Sequence, residues 1–371
     1  MKTKLQSVLF ALESIAALLL TTATTAALVA DEANIDKSSV VVTTQRHTVY
    51  FGNGKGAGDF TTWSWTPRIE FRVNGPITSG SQLQVEYTLP GNKSWLKINC
   101  KTSEVKAGGW WQLSAPGCGA NLPDEQGSLA TGQVDFKILL KNELQGANTT
   151  LFTGKLNVKK FHVGSDQPQF KNNFDYYVDL DWNLPIGYVY HPEPRHTASG
   201  GTDFVNWAPL DVSMWFRGDV QEGEVNAYLF YNGKAISSTD TTAQGSVGRE
   251  ELASTFDESI YKWSRMKFRF FNALVFNKTP AQNPNAFRLD KNPGEYEVKV
   301  LRHGHLARDA KFTVGADGRI VDNGVGRKND LGSSRMVLPV QILGNEDGQW
   351  DKTAWKTGAF YGNPLTGFNP P

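Results

Sequence analysis

The strongest constraint in this chain is a hairpin pattern that occurs twice. Gly132-Gln-Val-Asp-Phe-Lys-Ile-Leu-Leu and Gly294-Glu-Tyr-Glu-Val-Lys-Val-Leu-Arg share Gly, Lys and Leu at the same places, and Val134, Phe136 and Ile138 answer to Tyr296, Val298 and Val300. Apolar residues at every second position mark a strand with one face in a core and the other in water. After a polar turn each copy returns in a second alternating strand, ending in Leu156 and Val158 in one and Phe312 and Val314 in the other. Each copy therefore closes a unit with a hairpin.

Upstream strand signals are of the same kind. Ile69, Phe71 and Val73 alternate with Arg68, Glu70 and Arg72, and Leu83, Val85, Tyr87 and Leu89 lead into the turn residues Pro90, Gly91 and Asn92. Leu83, Val85 and Tyr87 are matched with Leu210, Val212 and Met214. The strand from Trp95 to Ile98 is matched with Val225, Ala227, Leu229 and Tyr231, which precede the turn Asn232-Gly233. Short strands at regular spacing with turn residues between them resemble the immunoglobulin-like and fibronectin-type sandwiches. The expected fold is all-β, with two tandem sandwiches, the second carrying loop insertions and one short helix at 246–254, around Arg249, Glu250, Glu251 and Leu252. The expected organisation is a signal peptide over 1–30 and a flexible lead-in over 31–44. A first sandwich over 45–163, a linker over 164–173, a second sandwich over 174–344 and an aromatic C-terminal tail over 345–371 follow.

The first thirty residues carry Lys2 and Lys4, then an apolar run into small residues, the layout of a secretory leader. The uncharged part is diluted by threonines and short of a membrane span, and no later apolar run approaches that length. Export places Cys100 and Cys118, the chain's two cysteines, in an oxidising compartment, so a disulfide is expected. The expected location is secreted or cell-surface.

Lys plus Arg is 38 against 37 Asp plus Glu, and the balance becomes 36 against 36 once Lys2, Lys4 and Glu13 leave with the leader. A neutral chain has no bulk field with which to grip nucleic acid.

Chemistry-bearing motifs are few. The glycine-rich 52–58 run lacks the spacing of a phosphate-binding loop. His191, Glu193 and His196 share one loop and could ligate Zn2+, while Asp179 and Asp181 would share a face of an extended 176–182 strand and offer oxygens to Ca2+. Otherwise no cofactor is expected. Trp110 and Trp111 are adjacent on a strand, so one should face away from the core and could meet a ligand. Asn92, Asn148 and Asn277 head N-glycosylation triplets. Trp350, Trp355 and Phe360 recur every five residues, which fits neither helix nor strand; they are read as a tail over the second sandwich or as a self-assembly segment.

No catalytic motif appears. The pattern implies a non-enzymatic binding or adhesion-type protein that recognises a protein or glycan. The alternatives are a carbohydrate-active enzyme with scattered acids and a structural module of an extracellular matrix or envelope assembly.

Overall fold

The computed structural model describes residues 33–50, 61–74, 81–101, 103–107, 110–142, 146–163, 173–190, 207–254, 261–277, 283–329, 331 and 335–371. The expected leader, the 52–58 run, most of the linker, and His191, Glu193 and His196 lie outside them.

The protein is mostly antiparallel β-sheet. The first half contains β1 (Asn34–Ile35), β2 (Val41–Tyr50), β3 (Thr61–Asn74), β4 (Ser81–Leu89), β5 (Lys93–Asn99), β6 (Ser103–Ala107), β7 (Trp110–Cys118), β8 (Gly132–Asn142), β9 (Ala147–His162) and β10 (Phe174–Val178). The second half contains β11 (Ile186–Tyr190), β12 (Trp207–Arg217), β13 (Val225–Tyr231), β14 (Lys234–Ser238), β15 (Gly245–Ser254), β16 (Lys262–Asn277), β17 (Phe287–Arg288), β18 (Gly294–Arg302), β19 (His305–Val314) and β20 (Arg335–Ile342).

One pairing plan is used twice. The first half has the orders β2-β3-β7-β6 and β10-β9-β8-β4-β5; the second has β11-β12-β16-β15 and β20-β19-β18-β13-β14. Registers agree as well. Gly132 faces Val158 and Gly294 faces Val314, and both glycines have positive φ, which a side chain would resist. Leu151 is an extra residue between the rungs Ile138–Phe152 and Leu139–Thr150, and Ala307 is extra at the corresponding place on β19. Trp95 and Ile236 are likewise the extra residues of matching bulges on β5 and β14.

The hairpin β4–β5 therefore corresponds to β13–β14. The sequence match of Leu83, Val85 and Tyr87 with Leu210, Val212 and Met214 is one strand out of step, because alternation alone carries no register. The halves also close differently. In the second, β11 pairs with β20 and joins both sheets into a near-barrel; in the first, β2 and β10 are neighbours linked by the Thr44 hydroxyl, which donates to the Tyr176 carbonyl at 2.6 Å, with no ladder between them.

Two local expectations are corrected. The segment read as a short helix, 246–254, is strand β15. Its Arg249-Glu-Glu run has helix-forming residues, but Glu250 and Glu251 pair across to Arg265 and Lys267 of β16, and Ala253 is buried. Cross-strand pairing and burial override local propensity here. The expected 176–182 strand ends at Val178, and Asp181–Asn183 is a 3-10 turn, so Asp179 and Asp181 do not share a strand face.

The expected disulfide is present: Cys100 and Cys118 are bonded, joining the end of β5 to the end of β7 across the two sheets. No helix among the described residues is long and apolar enough to cross a membrane.

One apolar core fills the second half. The other fills the first half and continues through Trp182, Ile186, Trp215 and Trp263 to the C-terminal residues Phe360, Tyr361, Leu365 and Phe368. The tail is thus docked across the first half and the junction, whereas the first of its two sequence readings placed it over the second half. Asp347 is held by buried Arg308, the Asp351 amide donates to Asp181, and the Asn363 side chain donates to the Thr153 carbonyl. Val42 N–H donates to the Tyr361 hydroxyl at 2.7 Å, and the Tyr361 ring meets Phe136 edge-on at 5.7 Å.

Candidate functional site

Two concave surfaces stand out. The larger is an open groove of about 550 Å3 between the β4–β5 hairpin and the segment 125–129. Its geometry begins with the bulge at Trp95. An extra residue re-aims its side chain, and here the ring turns edge-on to fully buried Trp65, with centroids 5.1 Å apart, while its indole N–H donates to the Gln126 carbonyl at 2.9 Å. Trp95 is only half-buried, so it borders both core and groove.

The opposite wall is anchored from beneath. Trp65 and Ser128 exchange both backbone hydrogen bonds, at 3.0 and 2.9 Å, and the Trp65 indole donates to the Ala130 carbonyl. The 3-10 turn Asp124–Gln126 is fastened by buried His47, whose Nδ1 lies 2.8 Å from the Asp124 carboxylate and whose Nε2 lies 2.6 Å from the Thr66 hydroxyl. Every polar group is matched when Nδ1–H donates to Asp124 and Nε2 accepts from Thr66. These contacts have the order of an acid–imidazole–hydroxyl triad, but Thr66 has no exposed surface, so no substrate could meet its oxygen. The relay is scaffolding. Around the groove stand Lys93, Lys97, Glu125, Gln126 and Leu129, the last 48% exposed.

The smaller surface is a cleft of about 380 Å3 where the C-terminal segment crosses β8 and β9, bordered by Gln133, Lys155, Asn157, Asp179, Trp182 and Asp351. Asp179 is committed to Lys159 and to the Asp181 amide. Asp351 accepts from the amide and hydroxyl of Thr353, which hold its carboxyl below the usual range. Behind them Asp181 accepts from the Trp263 indole and the Asp351 amide. Burial, and then the charge of Asp179, push its carboxyl up against the pull of Arg217.

Among the described residues no group of three or more His, Cys, Asp or Glu side chains is placed to hold a metal ion. Trp110 and Trp111 lie on the backbone of β7 opposite Ala107 and Lys106, and their side chains fall outside the described set. Asn92 is exposed at the β4–β5 turn with φ near +60°, a conformation asparagine tolerates, and Asn148 is exposed on β9. Asn277 is buried at the end of β16, in contrast to the surface position an acceptor needs. The sequence places Trp95 only at the start of a strand; its bulge position depends on a pairing register that the residues alone do not display.

No protein-family model matches this chain, and no curated protein matches it either.

Proposed function

We propose that this protein is a secreted or cell-surface, non-enzymatic binding protein of two immunoglobulin-like sandwiches, which recognises a glycan in the groove beside Trp95. Support for the sandwich assignment is the strand order: each half has four strands in the order A-B-E-D and four in the order G-F-C-C′, plus a ninth strand beside G. The signal-like first thirty residues and the disulfide support export.

The observation that carries the glycan reading is the composition of the groove. A half-buried indole stands beside an exposed amide, a carboxylate and two ammonium groups in an open channel of ligand size. Sugars present exactly such mixed faces, apolar C–H on one side and hydroxyls around the rim, and aromatic rings with a polar handle suit them. A protein partner is less well served. Interfaces need an apolar centre, yet among the described residues the exposed large apolar side chains Leu129, Leu306 and Val321 are scattered: Leu306 lies near the start of β19, and Val321 lies beyond that strand with its amide on the Thr313 carbonyl. Among the described residues that line the groove Glu125 is the single carboxylate, where glycoside hydrolysis ordinarily uses two.

Labelled protein applied to an array of extracellular glycans tests this. Binding should be lost in Leu129→Asp and weakened in Gln126→Ala, both surface changes that spare the core. Absence of glycan binding, or binding indifferent to both substitutions, would sink the reading.

A further inference from the structure

We propose that the open edge of β2 is a docking site for an aromatic peptide, and that its resident occupant is this chain's own C-terminal segment, which completes the first half where the second half uses a strand ladder. The inference is independent of the glycan groove.

Comparison of the halves carries it. β11, the counterpart of β2, is paired on both edges, with β12 and with β20. Among the described residues β2 is laddered to β3 alone; β10 lies beside its other edge, tied there by the Thr44 hydroxyl on the Tyr176 carbonyl, but forms no ladder with it. A strand edge left unpaired inside a protein would strand its amides. At Val42 the missing acceptor is supplied by the Tyr361 hydroxyl, delivered from 319 residues away in sequence. The ring beneath that hydroxyl is buried between Phe136 and Trp182, and Phe360 packs on Trp182 at 5.1 Å. The apolar core of the first half is therefore closed by residues from the end of the chain.

The backbone gives a second, separate indication. Phe360, Tyr361 and Gly362 all have positive φ, at 46°, 58° and 86°. Bulky side chains avoid this region, and it persists only where surrounding contacts over-determine it. The segment is held in a left-handed turn by its site; it does not bring that shape with it. The turn lets two adjacent rings enter the site together while the Asn363 amide caps the Thr153 carbonyl of β9. This is the behaviour of a bound peptide: one anchor ring with a polar tip, one supporting ring, and a backbone shaped on docking.

The first half should then share its stability with the last residues of the chain, and the segment should stay bound after it is cut free. A specific protease site built around exposed Gly348 leaves Asp347 on Arg308 and allows the folded full chain to be nicked. The released 349–371 peptide should co-elute with a particle of monomer mass on gel filtration. In the nicked Tyr361→Ala protein its retention should be weaker by roughly a hundred to a few thousandfold, the scale of losing a buried aromatic ring. Hydrogen exchange should show β2 and β9 losing protection with it while β18 and β19 keep theirs. Tyr361→Phe, which keeps the ring, should expose the Val42 amide alone. If Tyr361→Ala fails to fold, the nicked wild-type chain still decides the matter. Release of the peptide with unchanged protection of β2 and β9 would overturn the proposal, as would a dimer in which the segments are exchanged between copies.

Discussion

The Asp347 carboxylate lies 2.6 Å from Nη1 of Arg308, a side chain with no exposed surface. Arg308 also donates from Nε and Nη2 to the Trp215 carbonyl and from Nη1 to the Ala307 carbonyl, and its guanidinium lies 4.2 Å from the Phe216 ring centroid. The corresponding rung of the first half holds Phe152. Removing one partner of such a pair leaves an uncompensated buried charge, whereas removing both does not. Asp347→Ala should cost about 3–5 kcal/mol in urea unfolding, and the double variant Arg308→Leu with Asp347→Leu should cost markedly less. Equal losses would show that Asp347 is not the group that compensates Arg308.

The Cys100–Cys118 bond spans 18 residues and ties the two sheets of the first half. Between the corresponding strands of the second half, the Ser237 hydroxyl donates to Asn272. In the chain-entropy account a loop of this size contributes about 3 kcal/mol. Replacing both cysteines by serine should lower stability by about that amount and shorten exchange protection in β5 and β7 before β14 and β16. A loss confined to the second half would contradict the assignment.

Gly154 faces Phe136 across the β8–β9 ladder, and a Cβ there would come within 2.3 Å of the Phe136 ring and 2.9 Å of the Phe152 ring. Both rings are themselves packed, so Gly154→Ala should overpack the core at a cost of about 1–3 kcal/mol. Gly248, on strand β15, has nothing within 4 Å of its Cβ position. Gly248→Ala should change stability by less than about 0.5 kcal/mol. Thermal melts of the two variants give the comparison directly.

Two acids should respond to pH in opposite senses. Burial raises the Glu250 carboxyl, but Arg265, the Ser213 hydroxyl and Lys267 outweigh it and leave it below 4.5. A depressed carboxyl stabilises the fold above the unfolded value and stops doing so as pH falls through the folded one. The deficit of Glu250→Gln should therefore be full near neutrality and vanish in acid below pH 4.5. Asp181 is raised above 3.8, chiefly by burial, so its charged form is penalised in the fold at neutral pH. The wild-type chain should gain stability relative to Asp181→Asn as pH falls through that raised value towards 3.8. Parallel slopes for the two pairs would refute the assignment of cause.

The hairpins at Gly132 and Gly294 were legible because alternation and a fixed glycine are local properties of a strand. Strand identity further upstream was not: Leu83 and Leu210 begin equally good alternating runs, and only pairing shows that β4 answers to β13. Charges mislead in another way. Arg249, Glu250 and Glu251 suit a helix until Arg265 and Lys267 are known to lie across from them. Trp95 enters the groove through a bulge, which is a relation between two strands and leaves no mark on either. The docking of Tyr361 was least legible, since Val42 and Phe136 lie hundreds of residues away and the spacing of the tail aromatics obeys no period.

The two bulges of each half say more about correspondence than the alternation does. Alternation in a strand is demanded by water and would arise in any sheet, so its repetition says little about which strands correspond. An extra residue at a given rung is demanded by nothing. Leu151 with Ala307, and Trp95 with Ile236, interrupt their ladders at the same two places in both halves. Such shared irregularities fix, rung by rung, which strand of one half answers to which strand of the other where few identical residues mark the match.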